Sequence, residues 1–137
     1  MAKAEPPVGY SGKSLSAKLG LKPEMKFHII HPPAAYFKWL DNVDESKQSF
    51  LPPWDFVHLF TNSLTELEDQ LFALRQSIKP DGMIWVSWYK KSSPKPTEIT
   101  EDLVRGTCLP LGLVDVKVCA VSDEWTGLKL VIRKELR

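Results

Sequence analysis

Residues 55–89 constrain the fold of this 137-residue chain more than any other segment, because they read as a strand, a helix and a strand in direct succession. Asp55-Phe-Val-His-Leu-Phe60 is a short aromatic and β-branched run. Ser63 and Glu66 then have capping-box spacing, in which the serine oxygen takes the N3 amide and the glutamate reaches back to the cap amide. Leu64, Leu67, Leu71, Leu74 and Ile78 recur at three and four residues and predict one apolar stripe. Acidic Glu66, Glu68 and Asp69 open this helix and basic Arg75 and Lys79 close it, as the helix dipole favours. Lys79-Pro80-Asp81-Gly82 supplies a stop and a tight turn. Met83 to Tyr89 is apolar on both alternating faces, which predicts a strand buried on both sides.

The remaining chain extends the same sheet. Residues 1–13 hold Pro6, Pro7, Gly9 and Gly12 with few apolar groups, so a flexible N-terminal arm is expected before a single domain over 14–137. Ser14 caps a short helix that Gly20 ends. The first strand (β1) is expected at Lys26 to His31, stopped by Pro32 and Pro33, which have no N–H for a ladder. Ala34 to Leu40 has room for two helical turns, and Asp41 to Trp54 reads as a loop. Asp55 to Phe60 is β2 and Met83 to Tyr89 is β3. Thr97 to Leu109 reads as a helix with Ile99, Leu103 and Cys108 inward. Leu113 to Val121 (β4) and Gly127 to Arg133 (β5) are joined too tightly for a parallel crossover and predict an antiparallel hairpin. The class is α/β: a Rossmann-like, mostly parallel sheet of order β1-β2-β3-β5-β4.

The balance of 18 basic against 17 acidic side chains gives a net charge of +1, so no broad field draws the chain to nucleic acid or anionic lipid. Cys108 and Cys119 form no CxxC pair and have no nearby histidine, which excludes a zinc-ribbon or disulfide scaffold and predicts reduced, buried thiols. There is no apolar run of membrane-spanning length and no signal-peptide core, so the expected compartment is the cytosol.

Over "DFVHLF…LTELEDQLFALRQSIKPDGMIWVSWYK" the chain resembles the fourth strand, following helix and fifth strand of class I S-adenosylmethionine-dependent methyltransferases. "LVDVKVCAV…GLKLVIRK" is similar to their terminal reversed hairpin. The whole chain resembles more closely a family of small uncharacterised bacterial proteins classed as a domain of unknown function, through "SLSAKLGLKPEMKFHIIHPP", "PDGMIWVSWYKK" and "LGLVDVKVCAVSDEWTGLKL". The methyltransferase resemblance implies a glycine-rich turn after the first strand, for the methionine end of the cofactor, and an acidic residue ending the next strand, for the ribose. Here His31-Pro32-Pro33-Ala34 stands at the turn, and the second and third strands of that fold are missing, so no cofactor is expected. One-directional right-handed crossovers would put every helix on one face, leaving the other to the Ser14 to Gly20 helix and a second subunit. A homodimer is therefore expected.

Candidate ligand residues gather where ligands of open α/β sheets bind, at the carboxyl ends of the strands. These are His31 after β1, Thr61 and Asn62 after β2, and Tyr89 and Lys90 after β3, with the Asp41 to Trp54 loop able to cover the crevice. His28 and His58 read as sheet histidines with satisfied hydrogen bonds, and no metal set is expected. Gly12-Lys13-Ser14 ends like a phosphate loop, but Pro7 holds the first glycine's place, so it reads as a capped helix start. Trp88, Tyr89, Lys90, Lys91 and Lys95 mix aromatic and basic groups as single-strand-binding surfaces do, with Trp88 read as core. Trp125 reads as the anchor of the β4–β5 turn. The leading functional expectation is a non-catalytic methyltransferase-like domain that binds a partner protein or small polar ligand at this rim. The alternatives are a methyltransferase with an altered pocket and a single-stranded nucleic-acid binder.

Overall fold

The computed structural model describes residues 14–137. The expected arm over residues 1–13, and with it Gly12 and Lys13 of the phosphate-loop reading, lies outside the described residues. Five strands form one sheet: β1 Phe27–Ile30, β2 Trp54–Phe60, β3 Ile78–Tyr89, β4 Leu113–Ala120 and β5 Trp125–Ile132. The order is β1-β2-β3-β5-β4, as the sequence predicts. The pairs β1/β2 and β2/β3 are parallel, and β3/β5 and β5/β4 are antiparallel. Among the described residues four α-helices accompany the sheet: α1 Leu15–Leu19, α2 Tyr36–Trp39, α3 Leu64–Arg75 and α4 Glu101–Cys108.

Helix α3 packs Leu67, Leu71 and Leu74 on one face of the sheet, against Val57, Leu59, Ile84 and Val86, beside Val104 and Cys108 of α4. The opposite face is not bare. Leu15, Leu19 and Leu21, together with Tyr36 and Leu40 around α2, cover Phe27, Phe56, Phe60 and Trp85 there. Trp85 is fully buried and donates its indole N–H to the Leu19 carbonyl at 2.8 Å. The expectation that all crossover helices share one face fails at α2. Its connection to β2 returns along the outer edge of β1, so α2 can lie opposite α3. The geometric reason for expecting a second subunit on that face is thereby removed.

Five local expectations are also corrected. Ile78 is the first residue of β3, opposite Trp54, and does not continue the stripe of α3, which ends at Arg75. Five residues of β3 then oppose two of β2 before the register resumes at Phe56 and Met83, so Pro80 and Gly82 sit in an irregular strand start rather than a turn. A proline is tolerated at such a bulge. A Cβ on Gly82 would come within 2.9 Å of the Trp54 carbonyl oxygen, which is why glycine stands there. In α4 the helix starts only after the Thr100 cap, so the inward pair is Val104 and Cys108, four residues apart, and Leu103 is 38% exposed. Helix α2 is a single turn instead of two. Cys119 is half-buried, whereas Cys108 is buried as expected.

One polar chain crosses the α1/α2 side of the core. The Tyr36 hydroxyl lies 2.8 Å from His58 Nδ1, and His58 Nε2 lies 2.7 Å from the Ser87 hydroxyl. A neutral imidazole matches both contacts, one nitrogen accepting while the other donates. Burial pushes the His58 imidazole down to about 3 and raises the Tyr36 phenol well above its usual range. His58 is thus satisfied, as the sequence suggests. His28 is not: it stacks on Trp54 at 4.6 Å, and its Nδ1 is buried without a hydrogen-bond partner among the described residues.

The histidines set an acid limit. His58 is depressed from 6.5 and His28 is lowered too, both mainly by desolvation, so below pH 6.5 the unfolded chain binds protons that the folded chain excludes. Stability is complete above the unfolded value and is lost as pH falls through it, by up to about 1.4 kcal/mol per pH unit from His58. Urea midpoints measured from about pH 7 to about pH 5 should fall steadily, and a flat profile would contradict a buried neutral His58.

Candidate functional site

Parallel β1, β2 and β3 end on one rim, where the residues that follow each strand meet. His31 leaves β1 with φ of 55°, a left-handed conformation that favours glycine. Its side chain is 61% exposed and places Nδ1 3.1 Å from Glu66 Oε2. The buried Thr61 donates its hydroxyl proton to Glu66 Oε1 and accepts the Ser63 amide at 3.2 Å. His31 and Thr61 are therefore brought together, through Glu66. Glu66 was legible only as a capping residue. Its amide does bond the Ser63 hydroxyl at 3.2 Å, but Thr61, not the Glu66 carboxylate, satisfies the Ser63 cap amide.

Asn62 is engaged in holding the rim together. Its Oδ1 accepts the Tyr89 amide at 2.9 Å, and its carbonyl accepts the Glu98 amide at 3.0 Å. Glu98 in turn accepts the Leu64 amide at 2.8 Å, so the first turn of α3 already faces a carboxylate of its own chain. Sequence spacing gives no sign of this contact, which spans 34 residues.

Tyr89 turns away from this cluster. Its ring packs 4.4 Å from that of Trp125, which also meets Phe60 edge-on at 5.0 Å, so Trp125 anchors the hairpin end as expected. Lys95 lies 5.5 Å from the centre of the Tyr89 ring and bonds Glu124 at 3.0 Å. With Lys95 engaged and Trp88 buried, the mixed aromatic and basic stretch offers little stacking surface for single strands. The Lys90 amide bonds the Glu124 carbonyl at 2.8 Å, and Lys90 lines a groove of about 750 Å³ between the end of β3 and the start of α4. The five candidate residues thus divide between an internally bonded cluster beside α3 and an open groove beside α4. Among the described residues no group of three or more His, Cys, Asp or Glu side chains is placed to hold a metal ion.

The loop from Asp41 to Pro53 runs along the outer edge of β1. Its Ser49 amide donates to the Phe27 carbonyl at 2.8 Å, and Gln48 Oε1 accepts the Ile29 amide at 2.6 Å. Both bonds are made on the edge of β1 that faces away from β2, as the alternation of backbone groups requires. An edge strand has to be paired or covered, and this loop covers it.

Solved structures of similar architecture include methyltransferases. The mitomycin 7-O-methyltransferase MmcR superposes with a TM-score of 0.54 over 86% of this chain and 45% of its own, at 11% identity. TrmN from Thermus thermophilus gives 0.53 over 86% and 47%, at 12% identity. A putative type 11 methyltransferase from Sulfolobus solfataricus gives 0.50 over 79% and 70%, at 17% identity. The fold is methyltransferase-like. The chain spans about half the length of the first two of these structures. No protein-family model matches the chain, and no curated protein does.

Two substitutions separate the roles of the rim residues. Asn62→Ala leaves the Tyr89 amide without its acceptor and should lower stability by about 1–3 kcal/mol. His31→Gly should stay within about 1 kcal/mol of the parent, because relief of the left-handed backbone offsets a surface ion pair and a more flexible unfolded chain. Urea denaturation of both variants checks this, and a larger loss for His31→Gly than for Asn62→Ala would contradict it.

Proposed function

We propose that this chain is a non-catalytic methyltransferase-like domain that holds a small polar ligand at the carboxyl rim of its sheet. The observation that carries the reading is the covered edge of β1. In the enzymes it resembles, the next strand pairs there and ends in the acidic residue that holds the ribose. Here Ser49 and Gln48 occupy the backbone groups that such a strand would need.

The turn after β1 supports the same conclusion. A methionine-like group needs bare backbone at that point, whereas His31 carries its side chain across to Glu66 and two prolines follow. The residues present do not fit S-adenosylmethionine. The further resemblance to a family of small bacterial proteins implies no activity and is neutral between the readings.

One observation favours the alternative, a methyltransferase with an altered pocket. The fold is shared with PigF, solved with SAH, at a TM-score of 0.52 and 11% identity. Calorimetric titration with S-adenosylmethionine and with SAH separates the two. The expected result is no saturable heat with either compound. Micromolar binding that His31→Ala abolishes would overturn the proposal and restore the enzyme reading.

A further inference from the structure

Within the rim-binding reading, on which this step rests, we propose that the ligand site is the groove between β3 and α4, and that it takes a small organic anion. The acid group would be a carboxylate or a phosphate on an apolar body. Its volume of about 750 Å³ is that of a small-molecule site. Trp88 and Ile99 line it as apolar floor.

The polar groups around that floor decide the ligand's charge. The Thr97 hydroxyl oxygen accepts the Ile99 amide at 3.1 Å, and that of Thr100 accepts the Leu103 amide at 3.2 Å. Each hydroxyl therefore keeps its proton to donate. Lys90 and Lys91 line the same groove and make no ion pair among the described residues. Glu101 and Asp102 of the groove are held by Arg105, which bonds Glu101, reaches Asp102 at 3.2 Å and also takes Asp115, outside the groove, at 2.8 Å. The uncommitted groups are thus hydrogen-bond donors, two of them cationic, and an acceptor-rich anion is their complement.

The other half of the rim lacks this character. Its charged groups are Glu66 beside His31 and Glu98 at the start of α3, whereas the groove sets Lys90, Lys91 and Arg105 against Glu101 and Asp102.

Heteronuclear NMR titration of the ¹⁵N-labelled chain tests the assignment, with phenyl phosphate, benzoate, neutral benzyl alcohol and S-adenosylmethionine as separate probes. Phenyl phosphate or benzoate should give saturable shifts at the Lys90, Lys91 and Thr100 amides, and the stronger of the two identifies the preferred acid. Benzyl alcohol should give none. The double variant Lys90→Ala, Lys91→Ala should keep the remaining spectrum and bind at least about tenfold more weakly, as loss of a charge-assisted hydrogen bond implies. Equal shifts with benzyl alcohol, undiminished binding by the double variant, or no saturable shifts in the groove with either anion would overturn the inference alone. Saturable shifts around His31 and Asn62 with S-adenosylmethionine would overturn the non-catalytic reading beneath it.

Discussion

The Phe27 carbonyl and the Ile29 amide point away from β2, at the open edge of a sheet whose buried strands depend on it. Backbone groups of this kind have to be paired, because an orphaned donor or acceptor costs about as much as a lost hydrogen bond. The chain meets the demand locally, with the Ser49 amide and the Gln48 side chain. Much else follows from that choice. A connection that returns along the edge of β1 frees α2 to lie opposite α3. With α1 it then covers the face that a one-sided set of crossovers would leave open, so Trp85 and Phe56 are buried within one chain.

The same choice shapes the rim. A loop takes the place of a further strand beside β1. The polar side chains there turn on one another: His31 and Thr61 on Glu66, Asn62 on the Tyr89 amide, Glu98 on the first amide of α3. These bonds stabilise the ends of three parallel strands. Among the described residues, the donors left free lie on the other side of β3, around Trp88 and α4, at the groove proposed as the ligand site.

The sheet order was legible because its signals are local. The apolar run of β3, the Ser63 cap and the short β4–β5 link each act within a few residues, and handedness rules do the rest. Ile78 was misread because an apolar residue four positions beyond Leu74 suits either a helix stripe or a strand start, and only its pairing with Trp54 decides. Leu103 was misread because its helix begins at Glu101, so the phase of the stripe depends on a cap that spacing places only within a few residues. His31 and Thr61 could be placed on the rim by their positions after strands. Glu66 was hidden behind its capping role, and the Glu98 and Gln48 contacts join residues far apart in sequence, where no periodicity reports them.

The central claim is that the loop closes the edge of β1 as firmly as a strand would. Hydrogen exchange at the Ser49 amide measures this directly, since in a loop without that bond it would exchange at the rate of an unstructured chain. The account expects Ser49 to be protected to a degree comparable with the amides of β1 itself. Exchange of Ser49 at the unprotected rate, with β2 and β3 fully protected, would contradict it and leave the edge open to another strand.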